Sequence, residues 1–250
     1  MCVKRVPAPG SRITLTSDAQ AIDTTHLGFT TSPHEECAVE AAVQLIEASG
    51  GEATVLTVGP AEAEEQLRYA VSVGMTAAVL VPIDGGEWDP QRTARAITDA
   101  VKQLEVDGPF DLLLFGNESA DSGGFQVGIR VAHALGRPMV NGAKAIDVAD
   151  GVVRVGREAE AGQEAYELPL PAVVGIKEGV NLPRYPTMKG RLASKRVTVS
   201  RLPIDAPPGG MRMVQLQRPA ERSTATVMLG RGADAAPAVV DLLDELGVLT

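Results

Sequence analysis

The chain has 250 residues, room for one large domain or one domain with appendages, and a formal net charge of −9. That sign argues against a nucleic-acid partner, because a phosphate backbone rewards a basic surface. Hydrophobic residues are 44% of the chain and aromatic ones 3%, so the core is built from Ala, Val, Leu and Ile. No apolar run approaches the length of a bilayer span or a secretory signal, which predicts a soluble, cytoplasmic protein with no membrane insertion.

Residues 3–6 read as a first strand, stopped by Pro7-Ala-Pro-Gly10, and residues 13–22 as a small β-excursion. A helix begins at Ser32-Pro33, with Ser32 as N-cap, Pro33 at the first position, and Glu35 and Glu36 in the first turn. Its apolar face is Val39, Ala42, Val43 and Ile46, and Gly50-Gly51 ends it. Strands at 53–58, 77–81 and 112–115 then alternate with helices at 61–73, 90–104 and 123–135. Such alternation predicts an α/β fold, a doubly wound and mostly parallel sheet with helices on both faces.

In such sheets ligands sit at the carboxyl ends of strands, near a topological switch point. Three loops and a helix start can meet there: the turn after Val6, Val58-Gly-Pro60, the loop after Phe115, and the start of the Ser32 helix. The loop after Phe115 is the most telling. Gly116 ends a strand of four apolar residues, and Asn117, Glu118, Ser119, Ala120, Asp121, Ser122, Gly123 and Gly124 lead into Phe125, Gln126 and Val127. Backbone N–H groups of residues 124–127 can there point at a phosphate at a helix N-terminus; the same pattern also describes a capped turn with no ligand.

Past residue 140 the period changes. Residues 142–148, 152–158 and 165–168 read as β-hairpin strands, separated by Asp150-Gly151 and Gly162, and residues 172–176 as a further apolar strand. The segment 184–201 carries Arg184, Lys189, Arg191, Lys195, Arg196 and Arg201 with no acid, either a solvated stretch or a dock for an acidic partner. A Pro- and Gly-rich tail at 202–210 precedes the other residues of an arm that ends in a helix at 237–246, whose apolar stripe is Val239, Val240, Leu243 and Leu246.

Catalytic and metal signatures are missing. The sequence contains no G-x-S-x-G elbow, Walker A loop, G-x-G-x-x-G fingerprint or H-E-x-x-H pair. Cys2 and Cys37 form no C-x-x-C pair. His34-Glu-Glu-Cys37 is a weak metal pattern, read as a helix start, and no metal is expected. Ser122-Gly-Gly-Phe-Gln-Val127 lacks the Asp and Ser that complete an ATP-pyrophosphatase loop. The residues thus describe a nucleotide-binding fold without acid–base or nucleophilic machinery.

Several blocks in register carry a resemblance. Val3-Lys-Arg-Val-Pro7, Ser32-Pro33 with Ala38-Val-Glu-Ala-Ala-Val43, Val58-Gly-Pro60, the loop 116–128, Val155-Gly-Arg-Glu158, residues 164–168, Leu170-Pro-Ala-Val-Val174 and Asn181-Leu-Pro-Arg-Tyr-Pro186 together resemble the electron transfer flavoprotein beta subunit family. The resemblance spans nearly the whole chain. It implies an adenine nucleotide alpha hydrolase-like fold over residues 1–200, a β-hairpin extension near 142–170, a partner-recognition loop at 184–197 and a C-terminal arm at 201–250.

It also implies a non-catalytic electron carrier, paired with a larger alpha subunit that holds most of a redox-active FAD. Flavin-dependent dehydrogenases, acyl-CoA dehydrogenases among them, would donate electrons, and a quinone oxidoreductase would accept them. A structural AMP would lie in this chain against Cys2, Ser32, Pro33, His34, Glu35, Val58 and the residues from Gly116 to Val127. Met188 would insert into the dehydrogenase, with Arg184, Tyr185, Pro186, Thr187, Lys189 and Arg191 around it. The sequence departs from the family at Ser32, His34, Glu35 and 122–127, and Met1 falls inside the family's first strand. Two other readings remain: a bifurcating flavoprotein subunit with its own FAD, and a stand-alone adenine-nucleotide sensor of the universal-stress type.

Overall fold

The computed structural model describes residues 1–219 and 226–249. In chain order the elements are β1 (Val6–Pro7), β2 (Phe29–Thr30), α1 (Pro33–Ser49), β3 (Thr54–Gly59), α2 (Glu64–Val73), β4 (Ala77–Pro82), α3 (Pro90–Leu104), β5 (Leu112–Gly116), α4 (Val127–Leu135), β6 (Met139–Ala149), β7 (Val152–Ala159), β8 (Gly162–Pro169), β9 (Ala172–Ile176), α5 (Met188–Ser194), β10 (Val199–Arg201) and α6 (Ala236–Glu245). They form two compact units, residues 1–216 and 217–250.

The first unit is an α/β fold. Three strands run parallel in the order β10-β4-β3, and five more follow the order β5-β9-β6-β7-β8. Residues 1–3 join the two groups. Cys2 pairs in parallel with Leu56 of β3, Val3 N–H donates to the Leu56 carbonyl at 2.9 Å, and Cys2 N–H donates to the Leu114 carbonyl of β5 at 2.9 Å. Helices cover both faces. Cys37, Ala38 and Val43 of α1 and Leu67 and Ala70 of α2 bury one face, while Ala96 and Ile97 of α3 and Val131 and Ala132 of α4 bury the other. Among the described residues no helix is long and apolar enough to cross a membrane.

Three local expectations need correcting. The first strand was expected at 3–6, but residues 1–3 make the ladder, and Val6–Pro7 pairs antiparallel with Phe29–Thr30. The reason lies at Lys4, whose N–H is taken by the Glu35 side chain at 2.9 Å and so leaves the sheet. The helix expected from 123 starts at Val127, because Gly123 has φ +58° and the N–H groups of Phe125 and Gln126 fold back on the Gly123 and Gly124 carbonyls. The strand expected at 142–148 begins at Met139: Gly142, with φ +80°, sits in a bulge rather than at a boundary. Across that bulge β6 changes partners, parallel to β9 before it and antiparallel to β7 after it.

The chain at 202–210 stays on the first unit although Pro and Gly interrupt any ladder. Leu202 N–H donates to the Leu80 carbonyl, Arg92 Nε to the Ala206 carbonyl, and Gly209 N–H to Asp89, the N-cap of α3. Asp89 also accepts from the N–H groups of Gln91 and Arg92, so one carboxylate starts α3 and anchors the returning chain. The second unit holds α6, where Val239, Val240, Leu242 and Leu246 are exposed.

Candidate functional site

The strand order creates a switch point. From residues 1–3 the chain builds β3 and β4 on one side and β5, β9 and β6 on the other. The carboxyl ends of residues 1–3 and β5 therefore border a crevice of the kind where open α/β sheets take ligands. Cys2, Val58 and Val127 pack in one cluster with Phe115, on the face covered by α3 and α4. Burial pushes the Cys2 thiol up to about 11, so it behaves as a packed apolar group.

The start of α1 supplies the wall of the crevice. Ser32 is fully buried, and its hydroxyl donates to the Glu118 carbonyl at 3.3 Å. Pro33 opens the helix. Glu35 turns inward: its carboxylate accepts from the N–H groups of Ser32 (3.1 Å) and Lys4 (2.9 Å), the acidic half of a capping box stretched to a second loop. Gly116 permits this, since a Cβ there would lie 2.7 Å from Glu35 Cγ. His34 Nδ1 accepts from Glu178 N–H at 2.7 Å, which in the neutral ring places the proton on Nε2, 3.1 Å from Glu118 Oε1. Cys37 meets Asn181 instead. His34, Glu35 and Cys37 thus face three different partners, and among the described residues no three His, Cys, Asp or Glu side chains gather as metal ligands.

Between β5 and α4 the chain is a tight, self-braced loop. Asn117 N–H donates to the Ile176 carbonyl, Gly123 N–H to the Ser119 carbonyl, and the hydroxyls of Ser119 and Ser122 lie 2.8 Å apart. Ser122 N–H donates to Asp121 Oδ1 at 2.7 Å, Ala120 is exposed, and Gln126 Oε1 accepts from Arg130 Nε. The N–H groups of Phe125 and Gln126, expected to face a phosphate, are spent on local turns. Those of Gly124, Val127, Gly128 and Ile129 donate to no protein acceptor. The set of open donors is therefore shifted from the expected one, and three of its four members form the first turn of α4, where the helix dipole favours an anion.

The segment around Met188 is tied to α1 and α2 by hydrogen bonds and contains the short helix α5. Arg184 is not free: its guanidinium bonds Glu40 at 2.8 and 3.0 Å and Glu47 at 2.6 and 2.8 Å, both on α1. Thr187 caps α5 by accepting from Gly190 N–H, Arg68 of α2 bonds the Ser194 and Val197 carbonyls at its far end, and Arg201 reaches Glu64. On this mount Tyr185 and Met188 are 89% and 74% exposed, with Pro186 between them half-buried. Lys189 and Arg191 are exposed beside them.

Sequence reasoning missed Lys4, whose ammonium meets Asp121 at 2.7 Å and also pairs with Glu87, and it missed Glu40, Arg68 and Gly190. Only distant residues give these their roles, and local patterning carries no such signal. A hollow lined by Thr31, Gln66, Tyr69 and Arg184, where Gln66 Oε1 is buried without a partner, has room for about one water. It lies between α1 and α2, away from the strand ends, and is too small for a nucleotide.

Glu35 makes a test of this wall. Burial pushes its carboxyl up to about 8, against the pull of the Ser32 and Lys4 N–H groups. A carboxyl raised in the folded state contributes stability that is complete below its unfolded value and is lost as pH rises through the folded one. The window therefore runs from 4.5 to about 8. Relative to Glu35→Gln, which cannot titrate, the protein should lose thermal stability across that window and level off above it. A constant difference between the two melting curves would rule out titration of Glu35 there.

Comparison with known proteins agrees with the geometry. The electron transfer flavoprotein domain matches residues 21–207. Three relatives described as electron transfer flavoprotein subunit beta are similar over most of their length. That of Bacillus subtilis (strain 168) is 30% identical over 220 residues, 85% of this chain and 84% of its own. That of Syntrophomonas wolfei is 33% identical over 220 residues, 88% and 84% respectively. That of Mycobacterium leprae is 34% identical over 208 residues, 81% and 77%. Matched in this way along most of its length, the chain belongs to the electron transfer flavoprotein beta subunit family.

Proposed function

We propose that this chain is the small subunit of a heterodimeric electron transfer flavoprotein, carrying electrons from flavin-dependent dehydrogenases such as acyl-CoA dehydrogenases towards a quinone oxidoreductase. A larger alpha subunit holds most of the FAD, this chain completes that site, and a structural AMP lies at the switch point. Electron acceptance is the chemistry that FAD supplies when bound; this chain's residues bind, orient and dock. The arm carrying Val239, Val240, Leu243 and Leu246 contacts the alpha subunit. Lys189 and Arg191 steer acidic partners, and Met188 is the apolar anchor.

The observation that carries this reading is the group of four open N–H donors, on Gly124, Val127, Gly128 and Ile129, beside the switch point. A phosphate monoester fits them. Glu118 is hydrogen-bonded by His34, Asp121 is paired with the Lys4 ammonium, and Glu35 is turned to the Ser32 and Lys4 N–H groups, so each of these carboxylates is held by a partner of its own. Ser32, Pro33 and His34 fix one wall, and Cys2 and Val58 the floor.

A carboxylate at position 124 tests this. Gly124→Asp would place an acceptor where it can cap the Val127 N–H itself, occupying the donors a phosphate needs. The protein purified with its alpha subunit should release stoichiometric AMP on denaturation, and the variant almost none. Stoichiometric AMP from the variant would remove the loop from the phosphate site. Release of a second FAD from the unsubstituted protein would favour the bifurcating type.

A further inference from the structure

Three elements converge on Lys4. Its backbone N–H donates to Glu35 Oε1 on α1 at 2.9 Å, and its ammonium lies 2.7 Å from Asp121 Oδ2 in the β5–α4 loop and pairs with Glu87 in the β4–α3 connection. The links close into a ring. Glu35 holds Ser32 N–H, Ser32 Oγ holds the Glu118 carbonyl, and His34 holds the Glu118 carboxylate. Glu118 and Asp121 belong to the same loop, three residues apart, and each is matched by one side chain from outside it: His34 from α1, Lys4 from the end of the first strand.

The charges explain why this matters. Asp121 stands three residues before Gly124, the first of the open donors, so an unpaired carboxylate there would face an incoming phosphate of the same sign. Lys4 and Asp121 have side chains 31% and 21% exposed, shielded enough for their pairing to be felt and only partly screened by salt. Asp121 is correspondingly held below the usual carboxylate range: burial alone would raise it, and the Lys4 ammonium, together with hydrogen bonds from Ser119 and the Ser122 N–H, outweighs burial.

We propose that Lys4 is a positioning residue of the nucleotide site: its ammonium neutralises Asp121 and ties the β5–α4 loop to the wall formed by α1, so that the open N–H groups present a net attraction to a phosphate monoester. This rests on the nucleotide reading above. Lys4 does not touch the ligand in this role; it makes the loop acceptable to an anion.

The test uses AMP as the probe, titrated calorimetrically into the nucleotide-stripped protein complexed with its alpha subunit. Lys4→Met keeps the apolar stem and removes the charge, and should weaken AMP binding roughly ten- to a hundredfold, as loss of a charge-assisted bond implies. Lys4→Arg should restore binding to within a few-fold. The double variant Lys4→Met/Asp121→Asn should recover most of the loss, because the uncompensated charge is gone, and a merely structural role for Lys4 would show no such rescue. Asp121→Asn alone, which covers the case of a poorly folding Lys4→Met, should bind AMP as tightly as the unsubstituted protein or more so.

A Lys4→Met protein with unchanged affinity, a double variant as weak as Lys4→Met, or a tenfold loss in Asp121→Asn would each overturn the proposal while the nucleotide reading stands. If the unsubstituted protein takes up no AMP, the nucleotide reading itself fails and the proposal falls with it.

Discussion

Arg184→Leu should destabilise the protein by about 2–3 kcal/mol, because it strands a buried carboxylate. Glu40 is only 4% exposed and takes both the Arg184 backbone N–H and two guanidinium bonds. Breaking such a pair from one side costs about 3–5 kcal/mol when both partners are buried, and the Arg184 side chain is 35% exposed, which sets the lower value. In a chain of this size that is a fall in Tm of about 4–12 °C. The double variant Arg184→Leu/Glu40→Leu should regain much of the loss, since no charge is then left in the cleft. The pH dependence gives a second check. Burial alone would raise Glu40, but the Arg184 bonds hold it below its ordinary value, so its contribution is present above the unfolded pKa and lost as acid protonates the folded protein. Without Arg184, burial is opposed only by the Gln44 amide, which donates to Glu40 at 2.7 Å, and the variant should recover relative to the unsubstituted protein as pH is lowered. An equal loss in single and double variants would show that Arg184 acts through its stem and not through its charge.

What could be read from the sequence was what local chemistry decides. Ser32-Pro33 with its following acids marked the start of α1, and continuous apolar runs marked β4, β5 and β9, because caps, prolines and buried strands act within a few residues of themselves. Errors arose where a distant group took over a local one. Lys4 carries the same β-favouring neighbours as a strand residue, yet Glu35, thirty-one positions on, captures its N–H and ends the ladder. Gly142 looked like a strand boundary, while three strands impose a bulge on it. Residues 202–210 looked like the start of an arm because Pro and Gly deny them a ladder, but Ala206 is fully buried and held through its carbonyl. Val199–Arg201 was read only as part of a basic segment, and it is an edge strand on β4.

The same division applies to the site. Glycines and short polar side chains announced a loop suited to an anion, and that much is local. Which N–H groups stay open depends on how Gly123 and Gly124 fold back, and the bracing of the loop depends on Lys4, His34 and Ser32, which reach it from 84 to more than a hundred residues away in sequence. The basic segment divides likewise. Six cations without an acid suggested a solvated stretch or a dock for an acidic partner, but Arg184 and Arg201 are held by acids of α1 and α2, and the exposed cations outside those pairs are Lys189, Arg191, Lys195 and Arg196.

Gly190→Ala should separate the mount from the anchor. A Cβ at Gly190 would lie 2.1 Å from the Ser72 carbonyl oxygen of α2, a backbone atom that cannot turn aside. The seven-residue α5 must then lift from α2, and the Arg68 bonds to the Ser194 and Val197 carbonyls stretch with it. Overpacking of this kind costs about 1–3 kcal/mol, so a drop in melting temperature is expected even in the isolated chain. Met188 itself is untouched, as are the crevice loops, which bond neither α5 nor Ser72. If Met188 docks dehydrogenases from a fixed position, Gly190→Ala should slow dehydrogenase-linked reduction of the flavoprotein at least as much as Met188→Ala, for which the loss of a buried interfacial side chain implies about 1–3 kcal/mol. Reduction by dithionite and retention of AMP should be unchanged in both. A Gly190→Ala protein that melts earlier yet accepts electrons from its dehydrogenase at the full rate would mean that Met188 works from a mobile segment, and the α5 platform would have no part in docking.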